Sequence, residues 1–250
     1  MTDIDVTTRT IDLQLEEIAQ SVIKRHLDLA DPANQDFLRH PDHPEQHQTR
    51  WHQWGILTHT RTFLRHFDVD VPGYLRSWKV DDCVDAAMSR PIDGIERRNL
   101  LRIAILLHDV GKFAVRYRGR YRFHFTEHEK ASGDVVREEL HLENFGLTAA
   151  QIEYIARTAE DHFVLALVRR KAREQQTYDA SYVESVGFEQ LCRSIQGEHS
   201  DDYIEVGVLF LGDSLAKSDP QTGPEDARSQ YDLNIVVAQR YLQTVCTQPR

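Results

Sequence analysis

Residues 101–113 read LRIAILLHDVGKF, an apolar helical stretch that ends in a histidine and an aspartate. Leu100, Leu101, Ile103, Ala104, Leu106 and Leu107 cover much of a helix circumference, which predicts a central buried helix over 95–110 rather than a surface one. Taking a carboxylate and an imidazole out of water is costly unless something pairs with them. An ion pair, a hydrogen-bond network or a metal would each meet that need, and the remaining residues must choose among them.

Helical periodicity dominates elsewhere. Ile11, Leu15, Ile18, Val22 and Ile23 form a stripe that predicts an opening helix over 10–28. A turn-rich loop with three prolines, Pro32 to Pro44, separates it from a helix over 51–67, which Val71-Pro72-Gly73 breaks. Asp81-Asp82 caps a short helix to Met88, Pro91 to Gly94 closes that segment, and Gly111 suits the end of the central helix. The stretch KFAVRYRGRYRFHF, 112–125, is a basic, aromatic loop whose alternation around a glycine admits short strands. Thr126 to Glu129 and Thr148 to Gln151 read as capping boxes, opening helices to about Leu140 and Arg170. Further helices fit 187–196, 201–217 and 227–246. There is no repeat, and the fold class is all-α.

Charge and cysteine usage narrow the function classes. The formal net charge is −10, with a pI near 5.7, which argues against long duplex nucleic acid as the main partner but not against a small nucleotide. No apolar run approaches a membrane span, and the acidic start MTDIDVTTRTIDLQLEE is no signal peptide. Cys83, Cys192 and Cys246 are odd in number and far apart, so neither a disulfide framework nor a zinc ribbon is indicated, and a reducing, cytoplasmic setting is expected.

The chain has 13 histidines, and the question is which of them converge. On its own, the His108-Asp109 pair reads as a local cap and a satisfied core histidine. It is not isolated: His59 interrupts the apolar face of WHQWGILTHTRTF, and Asp213 interrupts VGVLFLGDSLAKS. Two histidines and two aspartates on buried helices make a mixed nitrogen and oxygen site for a divalent metal. Lys112 and Arg116, three and seven residues from Asp109, are candidate ligands for a phosphate oxygen; a lysine there also complements a helix end. Of His52, His59 and His66, seven apart on one face, His59 alone is taken as a ligand.

The order H…HD…D, with HDVGK, resembles the HD-domain metal-dependent phosphohydrolases. The likeness runs from about Gln46 to Ser218 and is closest to the HD subdomain of bacterial CCA-adding tRNA nucleotidyltransferases, through WGILTHT, HDVGKFAVRYRGRYRFHFTEHEKASG and ARTAEDHF. The nucleotidyltransferase domain has no counterpart, so CCA addition is not expected. The resemblance implies a helical bundle around the HD helix over 46–250, with residues 1–45 packing on it as a helix and loop. It implies that His59, His108, Asp109 and Asp213 hold one metal, and that Asp109, His128 and His162, with Asp161 as a further candidate, hold a second. Two departures bear on the second site: Glu127-His128-Glu129 stands where the family often has G-H-E, and Asp161-His162 stands where it often has H-H.

The activity implied by the resemblance is that of a phosphohydrolase of mono- or diesters, acting on a nucleotide or a 2′,3′-cyclic phosphate through a metal-activated hydroxide. Fe, Mn, Ni, Zn, Co and Mg are all candidate ions. Asp109 and Lys112 would be the catalytic pair, Lys112 and Arg116 would bind substrate, and Glu129 or Asp161 would protonate the leaving group. The rival reading is a catalytically weak HD module that binds metal or nucleotide for regulation. The sequence leaves the oligomeric state open.

Overall fold

A computed structural model describes residues 3–120, 122–166, 186–199 and 201–247. Helices dominate: α1 (Asp3–His26), α2 (Pro32–Arg39), α3 (Ile56–Val69), α4 (Val71–Trp78), α5 (Asp81–Met88), α6 (Arg97–Leu107), α7 (Lys112–Val115) and α8 (His128–Glu138) come first. They are followed by α9 (Ala149–Asp161), α10 (Val186–Glu198), α11 (Tyr203–Ala216) and α12 (Glu225–Thr247). Among the described residues the strands are two short antiparallel pairs, β1 (Pro91–Ile92) with β2 (Ile95–Glu96), and β3 (Tyr117–Arg118) with β4 (Phe123–His124). The fold is all-α.

As the apolar pattern predicts, α6 is the centre: Leu100, Leu101 and Ile103 through Leu107 are buried. It packs on α1, α3 and α9, while α11 packs on α3 and α12. Gly212 in α11 permits that approach, because a Cβ there would collide with the ring of Phe63 in α3. α8 and α9 pair closely, and Arg137 clamps them through Glu153 at 2.8 Å and Glu160 at 2.5 Å.

Several local expectations change. Val71-Pro72-Gly73 does break the preceding helix, which ends at Val69, but by opening α4, because Pro suits the first turn of a helix. Ile95 belongs to a hairpin ahead of α6, turned by Asp93 and Gly94, both at positive φ. The box at Thr148–Gln151 forms, with both reciprocal bonds. The box at 126–129 does not: Glu127 takes a left-handed conformation and makes no capping bond. The α9 helix stops at Asp161 rather than running on, and residues 167–170 of that expectation lie outside the described set. Gly111 has an ordinary helical φ of −63°; its lack of a side chain is needed because a Cβ would strike the backbone of His128 and Ser132.

The cysteine reading is also corrected. Cys83 in α5 and Cys246 in α12 form a disulfide across 163 residues, with Cys192 buried and free. Spacing along the chain cannot show a pairing that helix packing brings about. No helix of the described residues is long and apolar enough to cross a membrane.

Candidate metal centre

Each candidate ligand is delivered by a helix end or a helix face. His59 lies in α3, whose first turn is clamped by Asp42, accepting from the Thr58 amide at 2.8 Å and its hydroxyl at 2.6 Å. His108 caps the C-terminus of α6, and Asp109 comes next, in the turn to α7. That turn is tied to α8, since the Gly111 amide donates to Ser132 Oγ at 2.9 Å and this hydroxyl donates to the His128 carbonyl at 2.8 Å. His128 begins α8, His162 caps α9, and Asp213 projects from α11.

These side chains converge. Asp213 Oδ1 is 3.0 Å from His59 Nε2 and 3.9 Å from His108 Nε2. Asp109 sits between two groups: its Oδ2 is 3.6 Å from His59 Nε2 and 3.3 Å from His108 Nε2. Its Oδ1 is 3.3 Å from His128 Nε2 and 3.8 Å from His162 Nε2. His59, His108 and Asp109 thus form one cluster of ligand atoms, and Asp109, His128 and His162 a second.

The donor set suits metal. Nδ1 of His59, His108, His128 and His162 lies 3.2, 2.8, 2.9 and 2.6 Å from the carbonyls of Ala216, Ile105, Phe125 and Ala159. A ring that donates from Nδ1 to a carbonyl presents the Nε2 lone pair inward, as ligating histidines do. His108 Nε2 and Asp109 Oδ1 are buried without a hydrogen bond, although polar groups surround them. Buried atoms of that kind require a partner, and a cation between the rings would supply one.

Electrostatics favour ligation at His59 and His162, while at His108 a metal would have to displace a proton. Burial holds His59 and His162 below the ordinary histidine range, His162 far below, which keeps their rings neutral and able to ligate. Burial also opposes charge on His108, but Asp109 beside it prevails and raises its pKa. For Asp109, burial is outweighed by His108 and Lys112, and its carboxyl stays well below its usual range. Asp213 is likewise held low, burial being overcome by Lys217, whose Nζ is 2.7 Å from Oδ2, and by His59.

The cluster opens on a cavity of about 750 Å³, lined among others by Asp109, Lys112, His128, His162 and Asp213. Lys112 Nζ bonds Asp109 Oδ2 at 2.7 Å and His47 Nε2 at 2.9 Å. Arg116 lies elsewhere. It is buried over the faces of Phe37 and Phe123, at 4.2 and 3.6 Å, and donates to the Ala33 carbonyl at 3.1 Å and to Gln46. Asp161 also turns aside, its Oδ2 lying 2.9 Å from His199 Nδ1; with Asp202 these two form a separate group. His66 pairs with Asp70 at 2.7 Å.

Two residues at the site, His47 and Lys217, escaped the sequence reading, and a third, His52, is set aside there. His47 and His52 stack at 3.8 Å, and His52 meets the His59 ring edge-on at 4.8 Å. Lys217 lies one helical turn beyond Asp213, a spacing that could have marked it. His47 carries no such signal, and the seven-residue spacing of His52 from His59 does not mark it, because the helix expected over 51–67 begins only at Ile56.

No curated protein matches the chain. The model of the HD domain family matches residues 77–216, which includes the His108-Asp109 pair, His128, His162 and Asp213, while His59 is supplied from outside the matched span. With more than half of its length matched and a paired histidine–aspartate cluster at the end of its central helix, the chain belongs to the HD domain family.

Proposed function

We propose that this protein is a metal-dependent phosphohydrolase that cleaves a phosphate mono- or diester, of a nucleotide or a 2′,3′-cyclic phosphate. The observation that carries the reading is Asp109, one carboxylate whose two oxygens face two separate groups of inward-pointing imidazoles. His59, His108, Asp109 and Asp213 would hold one divalent ion, and Asp109, His128 and His162 a second. Bound there, such ions lower the pKa of water to about 7 and offset charge on a phosphoryl group.

The chain's own groups do the rest. Lys112 donates two of its protons to Asp109 and His47 and has a third for a phosphoryl oxygen as charge builds on it. Glu129 lines the cavity, which supports it as the group that protonates a leaving alkoxide over Asp161, which is turned to His199. Arg116 is committed to Phe37, Phe123 and Gln46, so the reading gives it a structural place rather than a substrate contact. The division at residue 45, and the nearness to the HD subdomain of CCA-adding enzymes, are part of the proposal. Against a reducing, cytoplasmic setting stands the Cys83–Cys246 bond, since such bonds are rare there.

The test is a hydrolysis screen of nucleoside monophosphates and 2′,3′-cyclic phosphates with Mn, Fe, Ni, Zn, Co or Mg. Turnover should disappear on chelation and in Asp109→Ala. His128→Ala and His162→Ala should lower metal content from about two ions to about one. Chelator-resistant turnover, or none with any ion, would refute the assignment.

A further inference from the structure

Beside the metal cavity lies a second one, of about 410 Å³, which the phosphohydrolase reading leaves unused. Its lining includes Arg50, Trp51, Arg118, Arg120, Arg122 and Phe123. Gln48 lines both cavities, so the two are neighbours. The β3–β4 hairpin supplies three of these arginines, and the loop before α3 supplies Arg50 and Trp51.

The charge here runs against the whole molecule. The chain carries a formal net charge of −10, yet this cavity sets four arginines against one carboxylate, Glu45. Arg50 also pairs with Asp226 and lies 5.2 Å over the Trp51 ring, which holds that ring in place at the cavity wall. Tyr117 and His124 stack at 5.1 Å on the same hairpin and stiffen it. Guanidinium forks match phosphate oxygens, and flat ring faces among them match unpaired bases.

We propose that the arginine cavity binds the backbone of a single-stranded oligonucleotide whose reacting phosphate occupies the metal cavity. The binding half stands on the cavity alone, and the placement of the reacting phosphate rests on the phosphohydrolase reading. A duplex keeps its bases paired inward and offers Trp51 no face, and Phe123, with Arg116 already on one side of its ring, has only its other face to offer. A simple polyphosphate has no base to place there, and an acidic peptide would use the arginines but not the rings.

Fluorescein-labelled decauridylate with a 3′-phosphate, followed by anisotropy on the metal-loaded protein, tests this. Binding should weaken with salt, log K falling with log salt at a slope of about −0.7 for each phosphate neutralised, so about −2 for the three hairpin arginines. Arg118→Glu/Arg122→Glu, both exposed and so compatible with folding, should weaken binding at least about tenfold and flatten that slope by about 1.4. Trp51→Ala should also weaken it about tenfold through lost stacking. The kcat/KM ratio of decamer to uridine 3′-monophosphate should fall in the arginine variant. Unchanged decamer affinity in the double variant overturns the proposal. So does displacement by a glutamate decapeptide at equal affinity with Trp51→Ala silent, which assigns the cavity to a protein ligand. Arginine-dependent decamer binding without hydrolysis of any phosphate would support the cavity while removing the hydrolase reading.

Discussion

Replacing Asp109 by Asn keeps the shape of the side chain and removes the charge that both clusters share. In the metal-free protein the first consequence falls on Lys112, whose side chain is 5% exposed and whose ammonium is bonded to Asp109 at 2.7 Å. At an effective dielectric of about 20, that separation is worth about 6 kcal/mol of attraction before desolvation is counted. Stranding one member of a buried pair costs about 3–5 kcal/mol net. His47 Nε2 remains 2.9 Å away as an acceptor, which places the cost near the lower end. For a chain of this length each kcal/mol moves the melting temperature by about 2–4 °C. Asp109→Asn should therefore melt about 6–12 °C below wild type when both are measured by calorimetry in chelator. In saturating metal the gap should widen, because wild type at about 1,000-fold above its metal Kd gains about 4 kcal/mol that the variant forgoes. Elemental analysis should find the variant nearly metal-free. Full metal content in the variant would show that Asp109 is not the shared ligand, and melting with wild type in chelator would show that it is not the partner that stabilises Lys112.

Lys112→Ala should keep its metal, since the lysine competes with cations for Asp109 Oδ2, while turnover falls on the order of 10²–10³; wild-type turnover would leave the lysine a helix-end charge. Stability of the chelated protein should fall as pH drops below about 6.5, by up to about 1.4 kcal/mol per pH unit for each proton excluded. The sign is set by His47, His52, His59 and His162, whose folded pKa values burial lowers, so that the unfolded chain binds more protons there; a flat profile between pH 6.5 and 5 would contradict it. Reduction, or Cys83→Ser, should lower stability by about 2–5 kcal/mol, the upper end being the chain-entropy value for a closed loop of 163 residues, read as a lower melting temperature with metal content unchanged.

The polar exceptions inside apolar helices were legible in the chain alone. His59, His108 and Asp213 each interrupt a buried face, and such an interruption is visible because periodicity defines the face around it. His47 and His52 sit ahead of α3, outside any helix, so the periodicity expected over 51–67 does not apply to them. Their burial depends on contacts far along the chain, such as Asp42 to Thr58 and the Gln53 amide to the Lys217 carbonyl at 2.8 Å. Arg116 lies away from Lys112 for a related reason. Four residues after Lys112, it would share its face if α7 continued, but the helix ends at Val115 and Arg116 turns to an extended ψ of 129°. The disulfide and the arginine cavity likewise arise from packing that brings separate segments together.

The contrast between HD and DH shows where local order does decide geometry. His108 and His162 occupy equivalent places, each the C-terminal cap of its helix, with Nδ1 against the carbonyl three residues back. Both rings point into the site, on neighbouring helices α6 and α9. An aspartate one residue after such a histidine and one before it are rotated by about 100° in opposite senses. Asp109 comes after its histidine and turns toward the imidazoles of α3, α8 and α9. Asp161 precedes its histidine and turns away, toward His199 beyond the end of α10. A carboxylate in that second place faces away from the cluster, because the side toward it is already taken by His162. The second group then has two imidazoles and a shared carboxylate, fewer protein donors than the four converging on the first, which favours an ion that retains water and exchanges more readily.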